Sequence, residues 1–221
     1  LGDVYKRQDH LGDMIKIGRR GSLTGRLEVI GKQGHVAYPA LAINPINDLL
    51  VLMQALKGTP LDAGTEHFDP SNLEFTSVDV GNRASNVIPN SAKAVFNIRF
   101  NDLWTSTSLA EALRARLDAA AGNQIRYELV FEPTNAEAFL IAPGPFVHTV
   151  ADVVQKLTGR AAKLSTTGGT SDARFIKNYC PVLEFGLVGQ TMHQINERVD
   201  TRDLVILADI YEAILADYFS G

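Results

Sequence analysis

The sequence predicts an α+β chain: a β-α-β-β-α-β ferredoxin-like unit over residues 21–132, followed over 133–221 by the C-terminal portion of an α/β domain. Three observations carry this. Apolar and polar residues alternate in four short stretches between 22 and 132. Two helical stripes lie between them, one after the first stretch and one after the third. Beyond Pro133 the alternation gives way to helices around one short apolar run, too few strands for a sheet of their own. At 221 residues and 45% hydrophobic composition, the chain has material for one large core or two small ones.

Residues 1–9 are polar and unpatterned, and the first eight read as a poorly packed leader. The first strand has Leu23, Leu27 and Val29 facing inward between Thr24, Arg26 and Glu28. Asn44 and Pro45 then open a helix, because Asn caps free backbone N–H groups and proline at the first position loses no hydrogen bond. Its stripe is Ile46, Leu49, Leu50, Met53 and Leu56, and Gly58 with Pro60 stops it. Strands follow at 73–80 and 92–100, joined through a turn at Pro89-Asn90-Ser91. In the second of these Ala94, Phe96, Ile98 and Phe100 share one face, and Lys93, Asn97 and Arg99 the other. Ser108 and Glu111 are spaced as a capping box for a helix that buries Leu109, Leu113 and Leu117 and ends at Gly122. Ile125, Tyr127, Leu129 and Phe131 alternate as the fourth strand.

After Pro133 a helix over 144–157 is expected to bury Val147, Val150, Val154 and Leu157 before Gly159. A Gly-rich stretch from Ser165 to Asp172 leads into a short helix, and 182–185 reads as a buried strand. Asp200 or Thr201 caps a last helix with a stripe of Leu204, Leu207, Tyr211, Ile214, Leu215 and Tyr218.

The composition narrows the function classes. A net charge of −4 with no basic stripe excludes a nucleic-acid or membrane-surface binder. The purest apolar run, residues 49–53, is far short of the ~20 residues that a transmembrane helix requires. A single cysteine, Cys180, forms no internal disulfide, as expected of a reducing cytoplasm, and beside Pro181 and a predicted strand it reads as core. The chain opens on Leu1 and reads as a fragment of a longer one.

Of five histidines, His148 and His67 read as solvated and His10 lies close to the unpatterned leader. His35 follows Gly31-Lys-Gln-Gly34 and precedes Val-Ala-Tyr38-Pro39; it is either a plain turn residue or a ring held out toward a ligand. His193 lies in a loop after the predicted strand at 182–185, the end of an α/β sheet where ligands sit, or is structural. A catalytic zinc takes three protein ligands, and neither His-Glu-x-x-His, paired cysteines nor acidic doublets occur, so the sequence holds no complete metal site. Thr167-Gly-Gly-Thr-Ser-Asp172 opening a helix is a candidate anion cradle, better suited to a carboxylate than to a nucleotide, or else an ordinary capped helix start. Arg19, Arg20 and Arg99 add cationic groups.

Gly18-Arg19-Arg20-Gly-Ser22, Gly34-His35-Val-Ala-Tyr38-Pro39, Asn82-Arg-Ala-Ser-Asn86-Val-Ile-Pro89, Phe96-Asn-Ile-Arg99-Phe100, Thr167-Gly-Gly-Thr170-Ser-Asp172 and Met192-His193-Gln-Ile-Asn196-Glu197 occur in that order. Together they resemble the di-zinc aminoacylase/carboxypeptidase superfamily, most closely its members that act on N-succinyl amino acids. The resemblance covers about residues 11–221. It implies that 1–20 comprise the leader and the end of a first catalytic-domain segment, that 21–132 form a lid and dimerisation domain, and that 133–221 end a zinc-hydrolase catalytic domain. It implies a cytoplasmic homodimer joined through the lid. His193 matches a metal ligand, and His35 a lid histidine that stabilises the oxyanion in the partner's site. Lys16, Arg19, Ser22, Tyr38, Asn86, Arg99, Gly169 and Thr170 match substrate-contacting positions. Members use two Zn2+ ions, with Co2+ an alternative; the remaining ligands are absent here, so the chain alone is expected to be inactive. Another N-acyl amino acid amidohydrolase, a carboxypeptidase or a non-catalytic dimerisation module are the competing readings.

Overall fold

The computed structural model describes residues 9–169, 171–192 and 194–220. Two compact units divide the chain: Arg20–Ala138 form a central unit, and the flanking stretches through Arg19 and from Phe139 form the other. The flanking unit begins with two short strands, β1 (Met14–Lys16) and β2 (Gly18–Arg19).

The central unit is built around β3 (Gly21–Ile30), whose buried residues alternate with partly exposed ones. A two-residue strand β4 (Gly34–His35) and a 3-10 turn at Pro39–Leu41 lead to α1 (Pro45–Lys57). The Asn44 side chain accepts the Ile46 N–H at 3.1 Å, capping the helix as its sequence predicts. Its buried face is Leu49, Leu52 and Leu56, whereas Leu50 is 60% exposed. The expected stripe included Leu50 and omitted Leu52; steps of three and four keep 49, 52 and 56 on one face, and Leu50 is turned about 100° from Leu49. Each leucine of that face contributes roughly 2 kcal/mol by leaving water.

The chain continues through β5 (Asn72–Asp79), β6 (Val87–Ile88), which pairs with β4, and β7 (Ser91–Phe100). Helix α2 (Ser106–Ala121) begins ahead of the expected capping box. Thr105 and Ser108 form the box: Thr105 Oγ1 accepts the Ser108 N–H at 3.1 Å and Ser108 Oγ accepts the Thr105 N–H at 3.0 Å. Glu137 adds a carboxylate that the local pattern did not reveal, accepting the Ser106 N–H at 3.0 Å where the helix dipole favours negative charge. With β8 (Arg126–Phe131) the sheet is complete, in the order β5-β7-β3-β8 with every neighbouring pair antiparallel. One face packs on α1 and α2, joining Leu23, Leu27, Phe96, Ile98 and Phe100 to the helix leucines in a single core. The other carries Ser22 opposite Arg99 and Thr24 opposite Asn97.

In the flanking unit β9 (Phe139–Leu140) pairs with β2, and α3 (Pro145–Thr158) buries Val147, Val150, Val153 and Val154 before Gly159 turns left-handed at φ 71. Leu157, expected inward, lies on the same face as Val150 and Val153 but in the last turn of the helix, and is 42% exposed. A strand with no sequence signal, β10 (Lys163–Ser165), runs parallel to β1; three residues are too few for periodicity to show. Residues 182–185 do not form the expected strand and contribute only a bridge between Glu184 and Lys16. A four-residue helix α4 (Ala173–Ile176) precedes α5 (Thr201–Phe219), capped by Asp200, whose side chain accepts the Arg202 N–H at 2.9 Å. Of α5 only Ile210 is fully buried, so the expected stripe is mostly uncovered: Leu204, Tyr211, Leu215 and Tyr218 are exposed and Leu207 and Ile214 half-buried. Cys180 is exposed rather than core, since the chain around it makes no strand. Among the described residues no helix is long and apolar enough to cross a membrane.

Candidate functional site

In the flanking unit, β1 and β10 lie side by side with Lys16 opposite Ser165. That pairing directs the Lys16 ammonium onto Ser165 Oγ at 3.0 Å and Thr167 Oγ1 at 2.6 Å, with Met14 Sδ at 3.5 Å. Burial first, and the nearby Arg19 charge second, lower the Lys16 pKa to about 8, against an opposing pull from Glu184. Arg19, three residues on, donates through Nε to Glu184 Oε2 at 2.5 Å and through Nη1 to the Thr167 carbonyl at 2.9 Å. Gly168, at φ 109, lies against this guanidinium, and a Cβ there would overlap Arg19 Nη1. Glycine is thus required both by the backbone and by the close approach of the arginine. The result is a half-buried cluster of two cations, one carboxylate and two hydroxyls at the entrance to an exposed Gly168-Gly169 loop.

The central unit carries two further groups. Asn97 donates through Nδ2 to Ser22 Oγ at 3.2 Å and to Thr24 Oγ1 at 3.0 Å, and Arg99 lies opposite Ser22 on the same polar face. On this face Arg26 is matched to Glu132 and Lys93 to Glu28, whereas the Arg99 guanidinium has no partner among the described residues. Beyond the other end of β3, His35 pairs with Val87, and the Val36 N–H donates to the Asn86 carbonyl at 3.1 Å. The Ala37 N–H donates to His35 Nδ1 at 3.0 Å. In the neutral ring this leaves Nε2 carrying the proton and pointing away from the turn as a donor. The Tyr38 ring stands 5.9 Å from the imidazole, and His35, Tyr38 and Asn86 are all exposed.

The expected site residues therefore fall into three places: Lys16 and Arg19 with Gly169 in the nearby loop; Ser22 with Arg99; and His35 with Tyr38 and Asn86. Thr170 and His193 lie outside the described residues. The helix-start anion cradle loses its basis, because α4 has only four residues and Asp172 makes no side-chain cap. Ser165, Glu184 and Asn97 carry site geometry without having been singled out; Ser165 lies 149 residues from the lysine it meets, which no local spacing shows. Among the described residues no three of His, Cys, Asp and Glu converge, so these residues do not fit a pair of metal ions.

The central unit and its entry strand match a domain class: residues 17–124 match the sequence model of the peptidase dimerisation domain. Particular proteins are close over nearly the whole chain. A succinyl-diaminopimelate desuccinylase of Methylobacterium nodulans is 66% identical over 213 residues, 96% of this chain and 54% of that protein. One of Rhodopseudomonas palustris is 59% identical, covering 95% and 54%. The chain spans about half the length of these curated relatives. In fold it is similar to a tripeptidase from Staphylococcus aureus, with a TM-score of 0.76, 19% identity, and coverage of 94% of this chain and 54% of that one. It is also similar to a dinuclear metal binding peptidase of Bacillus subtilis, with a TM-score of 0.66, 18% identity, and coverage of 94% and 53%.

Proposed function

We propose that this chain is the lid and C-terminal part of a succinyl-diaminopimelate desuccinylase, which hydrolyses N-succinyl-LL-2,6-diaminopimelate to succinate and LL-2,6-diaminopimelate in lysine and diaminopimelate biosynthesis. The carrying observation is the 66% identity over 96% of the chain to a protein of that name. Residues 21–132 are the lid, with a ferredoxin-like arrangement that the strand order β5-β7-β3-β8 and the helices on one face support. Lys16, Arg19, Ser22, Tyr38, Asn86, Arg99, Gly169 and Thr170 bind the substrate, whose several carboxylates suit guanidinium and ammonium donors. His35 donates from Nε2 to the developing oxyanion.

The enzyme acts as a homodimer in the cytoplasm. Ser22 and Ile30 are separated by most of the ten-residue strand β3, about 25 Å at ~3.3 Å per residue, with His35 further on. One small substrate does not span that distance within a protomer, whereas two-fold symmetry allows the His35 end of one copy to lie beside the Arg99 end of the other. The metal is Zn2+ or Co2+ and His193 is one ligand. This chain by itself does not hydrolyse the substrate.

The test is a chimera joining these 221 residues to the remaining portion of the Methylobacterium nodulans relative. Hydrolysis of N-succinyl-LL-2,6-diaminopimelate in preference to N-acetylornithine is expected, and the reverse preference would overturn the assignment. Turnover by the 221-residue chain alone would overturn the claim that it is inactive.

A further inference from the structure

The hydroxyl groups beside Lys16 have a determinate proton arrangement. Ser165 Oγ accepts the Lys16 ammonium at 3.0 Å and the Thr167 N–H at 3.2 Å, which fills both of its lone pairs. The 2.9 Å contact between Ser165 Oγ and Thr167 Oγ1 is therefore a bond that Ser165 donates. Thr167 Oγ1 accepts that proton and a second one from Lys16 at 2.6 Å, so its lone pairs are filled as well. Its own proton has no acceptor among the described residues and must point out of the cluster.

We infer that the Thr167 hydroxyl is a substrate-binding donor that takes a carboxylate oxygen beside Lys16, with Ser165 acting through it as a positioning residue. The local charge selects the ligand class. Lys16 and Arg19 face the single carboxylate of Glu184, leaving one positive charge in excess in a half-buried place. A charged acceptor gains more there than a neutral one. The backbone is held to suit, since Arg19 Nη1 grips the Thr167 carbonyl and Gly168 leaves room for the guanidinium. This inference rests on the reading that the chain binds an N-succinyl amino acid, and it adds a residue to that site.

The experiment is an NMR titration of the whole chain and its variants with two probes, succinate and N-succinyl-LL-2,6-diaminopimelate, with circular dichroism to check folding. T167V should weaken binding of both probes about tenfold or more, the effect of losing one hydrogen bond to a charged group. T167S, which keeps the hydroxyl, should stay within about twofold, since the same bond is retained. Should T167V not fold, T167A carries the same comparison. T167V binding as tightly as the parent while R19A binds weakly would overturn the inference and leave the proposed function standing. Thr167-dependent binding of succinate without binding of the N-succinyl amino acid would overturn the function and leave the donor. A parent chain that binds neither probe would overturn both.

Discussion

Gly25 lies in the middle of β3, directly opposite Phe96 of β7. A Cβ at this position would lie 2.8 Å from Phe96 Cε1, with Cε2 and Cζ closer still. The ring has no easy retreat: Phe96 is 0% exposed and meets Phe75 edge-on at 5.7 Å and Phe131 edge-on at 6.3 Å. Replacing Gly25 with alanine therefore forces a core aromatic to move by on the order of 1 Å, and overpacking of this kind costs about 1–3 kcal/mol. Gly25 does not adopt a positive φ, so alanine regains about 0.4–1 kcal/mol from the stiffer unfolded chain. The net expectation for G25A is a destabilisation of about 1–2 kcal/mol. In an F96L background the ring is gone and G25A should become neutral or mildly stabilising, a coupling of about 1–2 kcal/mol. Guanidinium unfolding of the four proteins, followed through Trp104, the sole tryptophan and a residue of the same unit, measures the cycle. Effects that add to within about 0.5 kcal/mol would show that the ring is not the obstacle and refute the reasoning.

Two further predictions concern charge. Because the folded Lys16 pKa is lowered to about 8 from 10.5, the unfolded chain binds more protons between those values, so stability should rise with pH from about 8 upward. K16M should remove that rise, and urea midpoints between pH 8 and 9.5 would show it; an unchanged slope in K16M would count against the burial of this ammonium. At Asp62, burial pushes the carboxyl pKa up, but hydrogen bonds from the Ser71 hydroxyl and amide, the Gly64 amide and the Trp104 indole outweigh it and bring the pKa below 3.8. Its contribution is therefore present above pH 3.8 and lost as pH falls through the folded value. D62A should cost about 2–3 kcal/mol at neutral pH, because the fully buried Asn101 loses its 2.6 Å acceptor. The D62A penalty measured in urea should shrink toward pH 3, and a constant penalty would contradict this account.

Much of the central unit was legible because its signals are local. Alternation in β3 and β7, the Asn44-Pro45 start of α1 and the leucine spacing of α2 each depend on residues a few positions apart. The sequence misplaced what depends on distant partners. Thr105 rather than Ser108 caps α2, where Glu137 also reaches the helix end, and β10 exists only because β1 lies beside it. The run at 182–185 is apolar enough for a strand yet makes only one bridge. The stripe on α5 is amphipathic in sequence, but burial requires a neighbour, and only Ile210 has enough of one.

The same division holds for the candidate site. The sequence by itself determined which residues carry charge and donors and where glycine must stand. Only the tertiary structure decided that Lys16 meets Ser165 and Thr167 across 149 and 151 residues, that Arg19 is shared between Glu184 and the Thr167 carbonyl, and that Arg99 beside Ser22 has no partner among the described residues. Residue type follows from the sequence directly, but which lone pair a proton finds depends on strand register, and register is set by the packing of the whole unit.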